Sequence, residues 1–318
     1  MEVIQVPGRP APQAFYSVAG RLLFIETHDR HLRNPIELLF GGWQLTPVTL
    51  PDQPPDFHIN FACCTQLPQV PPNLAQFEIA DGGKCYTDGE SFYLTLQDSL
   101  VHLEKAEPVK VHVWLSELPG PADPLLARLA SFAVCAALRR FGLFDLHSAG
   151  VVAPESGKGV LIVGRSGSGK STLALRLAMS GWPYLSDDEL LLGLVDGAVE
   201  ARGFRSFFAV STSNDSPLKT CFEPGLVLGS QRRELAAPGM LLFTNLSGEQ
   251  QSRLTKLTQS ETMMRLIRAC PWATYDTSIA GANLEVLSAL ARQTRAFDLF
   301  AGRDLLAPGF AAELLSHC

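Results

Sequence analysis

The sequence predicts an α+β protein of two domains: a β-rich domain over residues 1–118, and a second domain over residues 119–318 that combines a mixed sheet with helices. Three observations support this prediction. Short alternating apolar segments fill the first part. A proline-rich stretch that begins at Pro119 separates the two parts. The second part contains the strand, glycine-rich loop and helix that are typical of a phosphate-binding loop.

The first part is predicted to consist mainly of strands. Residues 14–27 contain strand-like apolar runs, and Phe57–Phe61 alternates apolar and polar side chains, as a half-buried strand does. The Asp88-Gly89 pair predicts a hairpin turn between two further short runs. No catalytic pattern occurs in this part, so we expect it to be an accessory or substrate-recognition domain.

The second part begins with a helix, expected from Asp123 or Pro124 to about Arg140, whose apolar face should pack on the second domain. A strand then leads through a turn to the strand that feeds the glycine-rich loop. A short strand after the loop helix ends in two acids, and a hairpin turns at Asp196-Gly197. The remaining predicted elements are a buried strand at 240–244, a helix over 260–270 capped by Ser260, a helix over 282–293 and a strand over 296–300.

The loop Gly164–Ser171 carries two glycines, a lysine and a serine at the spacing of a phosphate-binding loop. Its glycines allow backbone N–H groups to point inward, and the helix that follows adds the positive end of its dipole. Lys170 is placed to reach the β and γ phosphates of a nucleotide, and the Ser171 hydroxyl suits Mg²⁺. The predicted nucleotide-binding residues are Gly164, Arg165, Ser166, Gly167, Ser168, Gly169, Lys170, Ser171 and Thr172.

Asp187 and Asp188 follow Lys170 by one helix and one strand. This spacing can place a parallel strand beside the strand of the phosphate loop, with its carboxyl end facing the phosphates. Two adjacent carboxylates allow one to bind Mg²⁺ while the other accepts a proton from an acceptor hydroxyl. Without the phosphate loop, the two aspartates would be interpreted as a solvated polar turn rather than as functional residues.

Other charged side chains are ambiguous in the sequence. His147 lies in the strand before the loop strand, and a single histidine in a strand is usually structural. Four cations are candidates to stabilise a transferring phosphoryl group, although a solvated surface position is equally compatible with each: Arg165, Arg202, Arg205 and Lys219.

Composition restricts the class of protein. With 46% hydrophobic and 18% charged residues, the chain reads as globular, and no apolar run is long enough to span a bilayer. The start of the chain has no secretory signal pattern, so we expect a cytoplasmic protein without a membrane partner. A net charge of −6 gives no support to a nucleic-acid surface. The seven cysteines show no Cys-x-x-Cys pair and are expected to be thiols. The sequence is compatible with a homo-oligomer.

Three segments stand in a characteristic order: the strand around His147, the loop Gly164–Ser171, and the strand that ends at Asp187-Asp188. Over about residues 143–195, this order resembles the HPr serine kinase/phosphorylase family, which has a His-Gly-Val strand, a phosphate loop and an Ala-Asp-Asp strand end. The resemblance implies a kinase core related to that of PEP carboxykinase, ATP and Mg²⁺ as cofactors, and a serine hydroxyl of a protein or peptide as acceptor. It also implies that His147 lies near the phosphates, that Asp187 is the base and that Asp188 is a metal ligand.

The chain departs from the family at several points. Thr172 stands where the family has glutamate, and Glu200-Ala-Arg202-Gly203 matches only the start of the family's Glu-x-Arg-Gly-x-Gly motif, with Arg205 in place of its last glycine. The first part does not resemble the family's own N-terminal domain. These differences make the chain more similar to the HPr-kinase-related proteins that accompany modified-peptide gene clusters.

Three other functions remain open at this point. The loop is equally typical of ABC-type ATPases, and residues 246–253 imitate their signature segment, but the polar stretch that follows is not the apolar strand ending in Asp-Glu that such an ATPase requires. A catalytically silent nucleotide-binding regulator is the second alternative. A small-molecule kinase is the third, because the sequence does not define the acceptor pocket.

Overall fold

The computed structural model describes residues 14–49, 51–79, 82–120, 123–211, 219–225, 229 and 231–316. The chain divides into two compact units. The first unit comprises residues 1–41 and 45–141, and the second comprises residues 42–44 and 142–318. The chain therefore passes from one unit to the other after Phe141, whereas the sequence placed the boundary at residue 118.

The first unit contains a mixed sheet, nine-stranded within the described residues, in the order β3-β1-β2-β4-β9-β8-β7-β6-β5. The β2–β4 and β4–β9 pairs are parallel, and the other neighbours are antiparallel. Its elements are β1 (Ala14–Val18), β2 (Arg21–Thr27), α1 (Arg33–Gly41), β3 (Thr46–Val48), β4 (Phe57–Cys63), β5 (Ala75–Glu78), β6 (Lys84–Thr87), β7 (Ser91–Thr95), β8 (Ser99–Glu104), β9 (Val109–Leu115) and α2 (Pro124–Arg139).

Helix α2 belongs to the first unit, where it contacts β4, β8 and β9. Its start agrees with the sequence, because Pro124 is the first helical residue and the Asp123 carboxylate accepts a hydrogen bond of 2.8 Å from Leu125 N. The expectation that this helix packs on the second domain is corrected. An apolar stripe identifies the face that a helix buries, but it does not identify the sheet that covers it.

The second unit holds the remaining elements. In chain order they are β10 (Phe144–Leu146), β11 (Ser148–Val152), β12 (Gly159–Val163), α3 (Lys170–Met179), β13 (Tyr184–Ser186), β14 (Leu190–Val195), β15 (Ala198–Gly203), β16 (Phe208–Ser211), β17 (Lys219–Phe222), β18 (Leu235–Ala236), β19 (Pro238–Leu246), β20 (Arg253–Lys256), α4 (Gln259–Ala269), α5 (Trp272–Tyr275), α6 (Thr277–Gln293), β21 (Arg295–Ala301), a 3₁₀ turn (Arg303–Leu306) and α7 (Phe310–Ser316).

A six-stranded sheet in the order β13-β11-β12-β19-β21-β20 forms the centre of the described part of this unit. Strand β12 is parallel to β19, and β19 is parallel to β21, whereas the other neighbours are antiparallel. A four-stranded sheet, β10-β14-β15-β18, and the hairpin β16–β17 complete it. Strands and helices are thus mixed, and the predicted α+β class is confirmed.

Two details of this unit correct the sequence analysis. Strand β13 runs in the same direction as β12, but β11 lies between them, so β13 is not beside the strand of the phosphate loop. Helix α4 is capped by Thr258 rather than by Ser260. The Thr258 hydroxyl accepts a hydrogen bond from Glu261 N while the Glu261 carboxylate accepts one from Thr258 N, which is a complete capping box.

Strand β12 is buried on both faces. On one side, Leu161 and Val163 share a hydrophobic core with α6. On the other side, Val160 and Ile162 share a second core with α3. A continuous apolar run is the pattern of a strand that is covered on both faces. The strand that feeds the glycine-rich loop is therefore fixed by packing before any ligand binds. Among the described residues, no helix combines the length and the apolarity needed to cross a membrane.

We expect Ile162→Ala to lower the free energy of unfolding by about 2–5 kcal/mol, because it leaves a cavity at a fully buried position. Met264→Ala, at a side chain that is 54% exposed, is the control and should change it by no more than about 0.5 kcal/mol. Urea unfolding followed by circular dichroism measures both. Equal, small effects of the two substitutions would contradict the double-sided packing of β12.

Candidate active site

The glycine-rich loop connects β12 directly to α3, which begins at Lys170. Gly167 and Gly169 have φ values of +78° and +91°, in the left-handed region that favours glycine. Gly169 occupies the cap position of α3 and has no side chain with which to cap it. The N–H groups of the first helical turn are therefore left for a ligand, at the positive end of the helix dipole. The loop has the local geometry of an anion-binding nest.

A hydroxyl pair ties the loop to the neighbouring strand β19. The Ser168 hydroxyl lies 3.0 Å from the Thr244 hydroxyl, and the latter donates to Val163 O at 3.3 Å. Gly164 lies under this pair. A Cβ at position 164 would approach Ser168 Oγ to 2.4 Å and Thr244 Oγ1 to 2.7 Å. Because of this close approach, a residue without a Cβ is required at position 164 for the shape of the loop.

The Lys170 side chain is buried inside the loop, with 5% of its surface exposed. Its ammonium donates to Gly164 O at 2.9 Å and to Arg165 O at 3.2 Å, and it lies 3.0 Å from His147 Nε2. An ammonium has no lone pair, so Nε2 must be the acceptor in this contact. The remaining proton of a neutral imidazole is then on Nδ1, which faces the Asp188 carboxylate at 3.4 Å. A continuous Lys170–His147–Asp188 chain of polar contacts results.

Asp187 is buried, with 1% of its surface exposed. Its Oδ2 accepts a hydrogen bond of 3.0 Å from Ala209 N, while Oδ1 has no partner within hydrogen-bonding geometry among the described residues. Burial raises the pKa of the Asp187 carboxyl; Ala209 N and the nearby Ser171 hydroxyl oppose that rise, and the negative charge of Asp188 adds to it. A buried carboxyl with a raised pKa and an unused oxygen is suited to accept a proton.

Asp188 has the opposite environment. Its side chain is 58% exposed, and its φ of +67° is in the left-handed region, which is uncommon outside glycine. This backbone conformation separates two consecutive carboxylates, one buried and the other turned to His147 and solvent. The oxygen donors of Ser171, Asp187 and Asp188 are of the kind that Mg²⁺ prefers.

The structure thus brings together the residues that the sequence singled out. Lys170 contacts His147, His147 contacts Asp188, and the Ser171 hydroxyl lies close enough to Asp187 to affect its pKa. The loop residues Arg165, Ser166 and Gly167 are exposed, whereas Thr172 is half-buried in the first turn of α3.

The candidate cations are mostly engaged with acids. Arg202 pairs with Glu200 at 2.8 Å, and Arg205 pairs with Glu189 at 3.3 Å. Arg165 is exposed at the loop. The side chain of Lys219 lies outside the described part of the structure.

Two residues that support the site could not be identified from the sequence. Thr244 holds the loop from a strand 76 residues away from Ser168, and Gln44 contacts Leu185 across 141 residues. Neither residue belongs to a recognisable motif. Contacts of this range depend on tertiary structure, so local patterns do not identify them.

Comparisons with known proteins give few matches. No family model matches the chain, and a search of curated proteins found no match. Among solved structures, the chain is similar to the Hpr(Ser) kinase/phosphatase from Coxiella burnetii, with 13% identity and a TM-score of 0.32 over 54% of this chain and 94% of that chain. This similarity is weak.

We expect Gly164→Ala to weaken binding of ADP by at least about tenfold, because distortion of the nest removes one or more hydrogen bonds to a charged group, each worth roughly 1.5–3 kcal/mol. Isothermal titration calorimetry measures the affinity. Gly281→Ala is the control, since a Cβ there meets no atom within 4 Å, and in a helix it should stabilise the protein by up to about 1 kcal/mol. Wild-type affinity in Gly164→Ala would show that the nest does not hold the phosphates.

We also expect Asp187→Asn to stabilise the protein at pH 7. The folded-state pKa of Asp187 is raised, so the native state binds more protons than the unfolded state, and wild-type stability falls as the pH rises from the unfolded pKa through the folded pKa. Asparagine removes this loss and keeps an oxygen for Ala209 N. The gain should shrink as the pH falls to the ordinary aspartate range, which thermal melts from pH 3 to 8 would measure. A pH-independent difference would contradict the raised pKa.

Proposed function

We propose that this chain is an ATP- and Mg²⁺-dependent kinase that transfers the γ-phosphoryl group to a hydroxyl, most specifically to a serine of a protein or peptide. One observation carries the proposal: a buried lysine in a phosphate-loop nest is linked through His147 to Asp188, the exposed neighbour of the buried Asp187. A nest alone supports nucleotide binding. The buried Asp187 beside it adds the proton acceptor that phosphoryl transfer to a hydroxyl uses.

The nest supplies the phosphate site. Backbone N–H groups of the loop and of the first turn of α3 would surround the polyphosphate, and the Lys170 ammonium would exchange its carbonyl partners for phosphate oxygens. Both sets of contacts would neutralise charge on the phosphates. Positioning and charge neutralisation are the main contributions to catalysis of phosphoryl transfer.

Ser171 and Asp188 are the residues that would hold Mg²⁺. The bound ion would supply charge neutralisation on the phosphates of ATP. The exposed Asp188 carboxylate is accessible for this purpose, and its partner in the structure is the His147 ring.

Asp187 would act as the base. The acceptor oxygen forms its bond to the γ-phosphorus, the bond from that phosphorus to the β–γ bridging oxygen breaks, and the acceptor proton passes to the unused Oδ1 of Asp187. ADP is the leaving group. Because burial raises the pKa of Asp187, this carboxylate is a stronger base than an exposed aspartate.

The acceptor class rests on the resemblance of the three motifs to HPr serine kinases. A serine hydroxyl on a protein or peptide is the acceptor that this resemblance implies. An ABC-type ATPase fits less well, because residues 247–252 simply connect β19 to β20, and β20 is a polar strand at the edge of its sheet.

Incubation with γ-labelled ATP, Mg²⁺ and candidate acceptors tests the proposal, with HPr and the peptides encoded by neighbouring genes as acceptors. We expect label on an acceptor serine. Asp187→Asn should lower the transfer rate by roughly 10²–10⁴-fold while ATP still binds, as removal of a general base does. Asp196→Asn, at an exposed hairpin turn that also has a positive φ, is the matched control and should keep wild-type activity.

Three other results would redirect the assignment. Free phosphate without a labelled acceptor indicates an ATPase. Label on a small molecule indicates a small-molecule kinase, and tight ATP binding with neither product indicates a regulator.

A further inference from the structure

Three residues from the first part of the sequence belong to the second unit. Residues 42–44 lie there, although the chain on both sides of them belongs to the first unit. Backbone hydrogen bonds join them to the segment that follows β15: Ser206 N donates to Gly42 O at 3.1 Å, and Gln44 N donates to Phe204 O at 3.0 Å. The segment after β15 is therefore held as a strand-like partner of residues 42–44.

The Gln44 side chain adds a bridge between two parts of the second unit. Its amide nitrogen donates to Leu185 O at 2.5 Å and to Arg205 O at 2.9 Å, so both N–H groups are used. Gly203 makes room for this bridge, because a Cβ there would lie 2.3 Å from Leu185 O and 2.4 Å from the Gln44 amide nitrogen.

Trp43 anchors the same bridge. Its side chain is buried, its ring centroid lies 4.9 Å from that of Phe204, and the Arg205 guanidinium carbon lies 4.5 Å from its centroid. Arg205 in turn pairs with Glu189. Ring and cation–π contacts of this kind restrict the backbone on which Gln44 depends.

The two residues that Gln44 connects, Leu185 and Arg205, belong to the segments that hold Asp187. Leu185 precedes it by two residues in β13. The hydroxyl of Ser186 accepts hydrogen bonds from Phe204 N at 3.1 Å and Arg205 N at 2.7 Å. A few residues further along the same segment, Ala209 N donates to Asp187 Oδ2. The position of the Asp187 carboxylate thus depends on two segments that Gln44 holds together.

We propose that Gln44 is a positioning residue for Asp187. The proposal rests on the proposed function, in which Asp187 accepts the acceptor proton. Gln44 makes its side-chain bonds to backbone carbonyls and acts on the reaction through the place it gives to the carboxylate. The first part of the sequence thereby contributes to the reaction site of the second unit.

The test compares Gln44→Leu with wild type in the full chain. Loss of both N–H donors removes this partner from the carbonyls of Leu185 and Arg205 and lets β13 shift against the segment after β15. We expect kcat for labelling of the acceptor to fall by about 10- to 100-fold, since a displacement near 1 Å has effects of that order. The KM for ATP should not change, because the nest and Lys170 are unaltered.

A second glutamine in the same unit supplies the matched control. The Gln293 amide nitrogen also donates to two backbone carbonyls, Val199 O at 3.0 Å and Pro238 O at 3.1 Å. Gln293→Leu should lower Tm by a similar amount and leave kcat unchanged. Equal effects of Gln44→Leu and Gln293→Leu on kcat would overturn the proposal. Gln44→Glu, which keeps the side-chain volume and loses the amide donors, replaces Gln44→Leu if the latter does not fold.

An activity-independent measurement separates this proposal from the proposed function. If the wild-type chain labels no acceptor, the kinase assignment fails, but the position of Asp187 can still be assessed from its hydrogen bond with Ala209 N. Amide hydrogen exchange at Ala209 should be faster in Gln44→Leu than in wild type and unchanged in Gln293→Leu, because a displaced carboxylate no longer accepts from this amide. Exchange at Ala209 that is unchanged in Gln44→Leu would show that Gln44 does not position Asp187.

Discussion

A lysine ammonium buried within a loop of backbone carbonyls is the constraint on which the site depends. Removal of an ammonium from water is costly unless each of its protons finds an acceptor. Gly164 O, Arg165 O and His147 Nε2 supply three acceptors for the Lys170 ammonium, one for each proton. This requirement fixes the curvature of the loop and the tautomer of His147. In the proposed function, a phosphate chain takes over the same charge.

The two adjacent aspartates lie in different environments although they are consecutive in the chain. Asp187 is buried with a raised pKa, whereas Asp188 is exposed, and the left-handed backbone at Asp188 turns the second carboxylate away from the first. Pairs of carboxyls in different environments commonly divide acid–base and electrostatic roles. We expect a buried carboxyl of this kind to reduce stability at neutral pH, as residues that serve function rather than folding often do.

Local patterns predicted the parts of the site that are contiguous in sequence. The apolar run of β12, the loop and α3 follow one another directly, so composition and spacing were sufficient, and the short strand ending at Asp187 was found in the same way. The order of strands in the sheet was predicted wrongly. Strand β11 separates β13 from β12, and spacing in the sequence cannot distinguish a neighbouring strand from one that lies one place further away. Helix α2 was assigned to the wrong unit for a similar reason. The bridge made by Gln44 depends on contacts across 141 and 161 residues and had no local signal.

The most direct test of the account is a calorimetric comparison of adenosine, AMP, ADP and ATP, each with Mg²⁺. If the nest and Lys170 hold a polyphosphate, affinity must rise from adenosine to ADP, and the increase must weaken at high salt because charge neutralisation causes it. If adenosine binds as tightly as ADP, the affinity comes from contacts with the nucleoside, and the assignment of the loop as a phosphate site is contradicted. Absence of binding by all four would contradict a nucleotide site altogether.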